Sequence, residues 1–259
     1  GSSASVEQER FLTVSVHKKN VDEARTFFSR VTGEITSKLS RLNSSSNELD
    51  AAERLDVLRG FFRPEEAALP FDLQSAMRRG HNLKDTICPD SLEFHRDYFK
   101  MGSQYGRVLF LKDYASYIKD SMILELTDLN RRMMLSIDMI PVPTDEAVRE
   151  VENKLLGVET NVTNWQRRQN SNQNFSAVVP YDLEQQRKET REMLDDLTTR
   201  DQRMLFAVVT LVHLADSKEE LDSDTETLQS IARKHLCQLA KLSFQQQDGL
   251  ITALPLGLR

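Results

Sequence analysis

Met204-Leu-Phe-Ala-Val-Val-Thr-Leu-Val-His-Leu-Ala215 is apolar on both of its alternating faces. A strand covered on one side alternates apolar with polar; a run apolar on both sides belongs in the middle of a sheet. This stretch therefore predicts a central strand, and the rest of the chain supplies the layers around it. Just downstream, Asp216 or Ser217 predicts a helix N-cap, with Glu220 three residues after Ser217 as a capping box. The helix that follows turns Leu221, Leu228, Ile231 and Leu236 inward. Leu239 to Phe244 reads as a last strand, and the Gln-rich turn Gln245-Gln-Gln-Asp-Gly249 leads into a terminal helix.

Upstream, Phe11-Leu-Thr-Val-Ser-Val-His17 alternates with β-branched residues and reads as a strand, with Asn20 capping a helix that carries Val21, Ala24, Phe28, Val31, Ile35 and Leu42. The cluster Asn43 to Asn47 breaks that helix, and a second carries Leu49, Ala52, Leu55, Leu58 and Phe62. Ser91 to Met101 and Tyr105 to Ile118 predict a hairpin joined across Gly102-Ser-Gln. A short helix from Asp120 through Leu129 and a strand over Met133 to Ile140 follow, stopped by Pro141 and Pro143. Thr144 is the expected cap of a long helix. Its Val148, Val151, Leu155, Val158, Val162 and Trp165 recur at alternating steps of three and four, the seam of a helix with one helical partner. Leu183, Arg187, Thr190, Leu194 and Leu197 repeat the step beyond Pro180, so an antiparallel helical hairpin is expected at about 145–200, with its tip over Gln166 to Val179.

Strands and helices mixed in this order predict an α+β fold: a mixed, largely antiparallel sheet with packed helices, ferredoxin-like in part, with the helical hairpin inserted in place of a simple crossover. The expected domains are a strand plus helical segment over 1–90 and an α+β body over 91–259 that holds the hairpin.

A formal net charge of −6 argues against broad phosphate-backbone binding, which needs clustered Lys and Arg. Two cysteines far apart, Cys88 and Cys237, favour a reducing compartment over a disulfide framework. No apolar run reaches the roughly 20 residues that span a bilayer, and no signal peptide opens the chain. The Gly1-Ser-Ser start without Met reads as an engineered boundary. The expectation is a cytoplasmic protein.

Catalytic patterns are weak. A phosphate-binding loop needs four residues between its glycines and then Lys-Ser/Thr; Gly102-Ser-Gln-Tyr-Gly106-Arg107 has three and neither, which is turn chemistry. Asp138 and Asp216 have no phosphate loop to serve and read as strand-end and capping residues. His213 reads as a core histidine with one hydrogen-bond partner. His81, Cys88 and His95 are spaced too widely for a zinc pair. No catalytic, cofactor-binding or metal residue is assigned. The hairpin tip is the one candidate contact surface. Trp165, Arg167, Arg168 and Phe175 lie there with no acid among them, and Trp and Arg are enriched where partners bind. The same set suits stacking and charge contacts to single-stranded nucleic acid, the alternative reading. A solvated loop closed by Trp165 is the plainer one.

Several segments in a fixed order carry a family resemblance: Arg10-Phe-Leu-Thr-Val-Ser-Val with Lys18-Lys-Asn and Glu23-Ala-Arg, then Asp97-Tyr-Phe-Lys-Met-Gly-Ser-Gln-Tyr-Gly106 and Arg203-Met-Leu-Phe, then Gln247-Asp-Gly-Leu with Leu254-Pro-Leu-Gly257. Together they resemble the amino-terminal region of conjugal-transfer ATPases of type IV secretion systems, the VirB/TrbE/CagE class, in the branch carried by Gram-positive mobile elements. The resemblance implies a docking and assembly region upstream of a motor domain, itself without ATPase activity. ATP and Mg²⁺ would belong to that missing motor domain. The implied partners are inner-membrane channel subunits, other secretion ATPases and further copies of the protein, at the cytoplasmic face of the membrane.

Overall fold

The structure is a computed structural model that describes residues 7–66, 72–80, 87–113 and 120–254. Pro70, His81, the 114–118 end of the expected second hairpin strand and the Pro-Leu-Gly exit at 255–257 lie outside these residues. The chain divides into two compact units, Gly1–Ser136 with Val209–Arg259, and Ile137–Val208.

Six strands form one antiparallel sheet: β1 (Leu92–Phe94), β2 (Phe99–Met101), β3 (Gln104–Asp113), β4 (Met133–Pro141), β5 (Leu205–Ala215) and β6 (Gln238–Lys241). Their order is β1-β2-β3-β5-β4, with β6 also on β3. The doubly apolar stretch is therefore central, between β3 and β4. Helix α4 (Asp120–Thr127) joins β3 to β4, and α7 (Lys218–Lys234) joins β5 to β6. The series β3-α4-β4-β5-α7-β6 thus has the spatial order β6-β3-β5-β4, the ferredoxin-like arrangement within an α+β fold. The inserted segment corrects one expectation. It replaces the β4–β5 hairpin connection and neither helical crossover, because both crossovers are present as α4 and α7.

Strand alternation sends β3 and β5 residues to opposite faces. Leu109, Leu111, Val209 and Leu211 pack with Met122 and Leu126 of α4 and Leu228 and Ala232 of α7. On the other face Val108, Val212 and Leu214 pack with Phe62 of α2 (Ala51–Phe62), Phe99 and Met101 of β2, and Leu250 and Ala253 of α8 (Gln246–Ala253). Arg132 fixes α2 from its C-terminal end. Its guanidinium donates to the carbonyls of Phe61 at 2.7 Å and Gly60 at 3.2 Å, where a cation is favoured by the helix dipole.

One edge of β3 is held by β5 over Tyr105–Phe110. The opposite edge is shared: β2 takes Gln104–Gly106 and β6 takes Leu109–Asp113. Val108 falls in the gap, and the side chain of Gln246 fills it. The Val108 N–H donates to Gln246 Oε1 at 2.8 Å, and Gln246 Nε2 donates to the carbonyls of Val108 at 3.2 Å and Leu242 at 2.8 Å. The carboxamide replaces a residue of strand. Gly249 lets α8 come this close, since a Cβ there would fall 2.3 Å from Leu242 Cδ1 and 2.8 Å from Val108 Cγ1.

Several boundaries differ from the sequence reading. The segment 91–101 is two short strands with a turn, closed by His95 N–H on the Tyr98 carbonyl at 2.8 Å. Helix α2 begins at Ala51 because Asp50 and Glu53 form a capping box. Around α7, Ser217 accepts from the Glu220 N–H, but Glu220 reaches back to Asp216 N–H at 3.2 Å in place of Ser217. Phe11–His17 is not a strand. Alternation describes a segment fit for a ladder, and these residues meet no ladder partner. Helix α1 (Val21–Arg41) is capped by Asn20 and carries no buried residue.

Within the Ile137–Val208 unit, α5 (Thr144–Ser171) and α6 (Tyr181–Thr198) pair as an antiparallel hairpin. Ala147 and Val151 meet Leu194 and Leu197 at one end. Further along, Glu159 bridges Arg191 at 2.6 Å and Arg187 at 3.8 Å. Thr144 opens α5 but does not cap it; Pro143 is the N-cap and supplies no side-chain bond.

Candidate functional site

The hairpin tip is built by the end of α5 and the connection to α6. The expected tip over Gln166 to Val179 is shorter in the structure. Gln166 to Ser171 stay helical, and the connection runs over 172–180. It starts when Gln173 takes a positive φ of 59° and Asn174 N–H returns to the Gln169 carbonyl at 2.9 Å. Asn174 Nδ2 also donates to Gln169 Oε1 at 3.1 Å. These bonds satisfy the carbonyls a helix end leaves open.

Trp165 lies half-buried at the last step of the seam, while Arg167 and Arg168 are exposed one turn or less beyond it. Phe175 stands in the connection with 77% of its surface exposed. No hydrogen bond, ion pair or ring contact joins these four side chains among the described residues. What surrounds Phe175 is more informative than the sequence reading allowed: Val178 and Tyr181, absent from the expected set, are exposed beside it in sequence. An apolar run on a hairpin connection was the available signal for them.

The seam below the tip is closed. Val151, Val158 and Val162 are buried, and Leu155 is half-buried. The polar Arg187 and Thr190 on the return helix do not open the seam at Val158, which is buried, although Arg187 Nε itself has no hydrogen-bond partner. Thr190 Oγ1 donates to the Gln186 carbonyl of its own helix at 2.7 Å, and Arg187 carries its charge outward to Glu184 and Glu159.

A second cluster lies under α7. The strand register places Arg107 opposite His213, both on the α7 face of the sheet. Arg107 is fully buried. Its Nε donates to the Asp97 carbonyl at 2.8 Å, one terminal nitrogen to Thr225 Oγ1 at 2.8 Å and the other to Asp222 Oδ1 at 2.9 Å. His213 Nε2 lies 3.0 Å from the same Thr225 hydroxyl, which also reaches the Leu221 carbonyl at 2.8 Å. One assignment satisfies all these contacts: the hydroxyl accepts from Arg107 and from His213 Nε2–H and donates to Leu221. His213 Nδ1 is then a bare acceptor without a partner. Burial first, and the Arg107 charge second, push the His213 pKa down to about 4, so the ring is neutral at pH 7. A closed, fully buried group in this state is a structural tie between α7 and the sheet.

The turn that superficially suggested a phosphate loop is occupied by packing. Gly106 pairs with Phe99, whose ring covers it so closely that a Cβ would sit 2.2 Å from the ring edge. His95 stacks on Tyr98 at 4.4 Å. Among the described residues no helix is long and apolar enough to cross a membrane.

No family model matches the chain, and no curated protein matches it.

Proposed function

We propose that this chain is a non-catalytic docking and assembly region of a conjugative type IV secretion ATPase, placed before the motor in the full protein. The reading rests on the ordered segments quoted above and on the work several of their residues do. Phe99 and Gly106 make the β2–β3 turn, Arg203 to Phe206 lead into the central strand, and Gly249 and Leu250 seat α8 on β3.

The observation that carries the docking role is the hairpin tip. Its seam is closed at Val151, Val158 and Val162, yet Phe175, Val178 and Tyr181 remain exposed beside Arg167 and Arg168. Aromatic anchors flanked by arginine are the residue types that dominate binding energy at interfaces. In this reading the tip meets channel subunits or a neighbouring ATPase at the cytoplasmic face of the membrane, and ATP and Mg²⁺ are handled by the motor domain.

Capture of the channel subunits by the wild-type chain and by Phe175→Ala/Arg168→Ala tests the role. Retained helical circular dichroism with at least about tenfold weaker capture, a loss of about 1.4 kcal/mol, is expected. Equal capture sinks it. The nucleic-acid alternative has its own signature: binding to single-stranded oligonucleotides that falls steeply with salt and is lost in the same variant.

A further inference from the structure

β4 is the last strand in the sheet order and among the described residues pairs only with β5. In the Ile137–Val208 unit, Val142 N–H donates to the Met204 carbonyl at 3.0 Å. Even-numbered backbone groups here therefore face β5, and the odd-numbered groups of Ile137 and Met139 face outward. Their side chains are exposed as well, 44% and 57%. Edge strands are normally blunted by charge, proline or a bulge. Pro141 does this only at the far end, where its missing N–H falls on the outer side. Ile137 and Met139 carry no such protection.

The first forty described residues present the complementary problem. Phe11 to Val16 has the alternation and β-branching of a strand but no ladder, and Phe11, Leu12 and Val14 are exposed. The helix behind it, α1, places Ala24, Phe28, Val31, Ile35 and Leu39 along one stripe and buries none of them. A helix of about 31 Å with an apolar stripe is stabilised by covering that stripe.

We propose that these two features are halves of one contact between copies of this chain: Phe11–Val16 of one copy adds to the Ile137–Pro141 edge of β4 in a second copy, parallel to it, with α1 laid along that copy. Charge sets the direction. Parallel addition brings Lys18 and Lys19 toward the end where β4 leads into Asp145 and Glu146 of α5, and the Asp145 side chain is 82% exposed. Antiparallel addition would take the two lysines away from these acids, to an end where Glu220 and Asp224 already neutralise Arg131, and Arg132 bonds the neutral Gln104 and the carbonyls of α2. Size also fits. Two reciprocal strand-plus-helix contacts bury on the order of 1,200 Å² in total, the low end of a stable specific interface. The inference does not rest on the secretion reading, because it involves neither the hairpin tip nor a channel subunit.

Sedimentation velocity of the full 259-residue chain tests it, with Val14→Pro and Met139→Lys as separate variants. Val14 is outside any ladder and Met139 is exposed, so neither change disturbs the monomer fold, which circular dichroism verifies. The expected result is concentration-dependent dimerisation of the wild type and about tenfold or greater weakening in each variant. A second measurement mixes a Leu12→Cys chain with a differently tagged Ile137→Cys chain and a short bis-maleimide, and treats a chain carrying both changes in the same way. A cross-linked peptide joining positions 12 and 137 at dimer mass supports the contact. A monomeric wild type, a dimer indifferent to both variants, or a 12–137 cross-link found only at monomer mass in the chain carrying both changes overturns it.

Discussion

Replacing Gln246 tests whether a side chain completes the sheet. Its carboxamide bonds the N–H and carbonyl of Val108 and the carbonyl of Leu242, all at a buried position where β2 has ended and β6 has not begun. Gln246→Met keeps most of the volume and removes every bond. The Val108 carbonyl retains the Leu242 N–H at 3.4 Å, so the Val108 N–H and the Leu242 carbonyl are the groups left unpaired. A buried polar group without a partner costs about 1–3 kcal/mol. The variant should therefore lose about 2–6 kcal/mol, a large share of the roughly 5–15 kcal/mol that holds a typical domain. Urea denaturation followed by circular dichroism reads the loss. Amide hydrogen exchange locates it, with Val108 losing protection more than its neighbours on β3. The single tryptophan, Trp165, lies in the Ile137–Val208 unit and gives a separate fluorescence transition for that part of the chain. A change below about 0.5 kcal/mol, with Val108 still protected, would refute the reasoning, because it would mean that water or a shifted β6 closes the gap at no cost.

Two further predictions concern the first unit. Gly106→Ala drives a methyl group into the Phe99 ring, a contact of 2.2 Å that only a ring shift relieves, and should lower stability by about 1–3 kcal/mol; a Phe99→Leu second change should recover part of it, and additive losses in urea melts would count against the contact. His213 makes stability depend on pH: with its folded pKa lowered to about 4 from 6.5, the unfolded state binds the proton more readily, so stability is complete above about pH 6.5 and falls as pH drops toward 4, by up to roughly 3 kcal/mol. His213→Gln should flatten that slope between pH 6.5 and 4, and an unchanged slope in paired melts would assign the acid sensitivity to other groups.

The parts of this fold legible in the sequence are those governed by local periodicity. The doubly apolar run finds its central place over Val209–Ala215, where both faces are buried, while Leu205 and Phe206 at its start are exposed, 51% and 58%, which the apolar pattern does not show. The seam of α5 is visible because a helix with one partner repeats every three and four residues, and Val151, Val158 and Val162 lie buried on that repeat. The capping residues Asn20 and Ser217 announce their helices through short-range hydrogen bonds. What stays hidden depends on residues distant in sequence. Alternation over Phe11–His17 cannot say whether an edge is free to receive it. Nothing local to Arg107 shows that it will be buried opposite His213, because the pairing is set by the β3–β5 register and the neutralising Asp222 comes from a helix more than a hundred residues later. The tip residues were visible as a composition, but their contacts depend on a surface that another molecule must supply.

Gln246 shows the same limit most clearly, and it changes what the Gln-rich turn means. Read locally, Gln245-Gln-Gln is a polar break before a helix. In the fold only Gln246 is buried, and it serves as the missing rung between two strands that share one edge of β3. That sharing follows from the extra β1–β2 hairpin, which occupies the N-terminal half of an edge that the ferredoxin-like order would otherwise leave to β6 alone. Two strands on one edge must leave a junction, and a buried junction must be hydrogen-bonded. A carboxamide has both the donor and the acceptor this requires, which a carboxylate, an amine or a hydroxyl in one rotamer does not match on both sides. The residue type at 246 is thus a consequence of the added hairpin, and the two features should stand or fall together: shortening the 92–101 hairpin so that β6 extends to Val108 should make Gln246→Met nearly neutral.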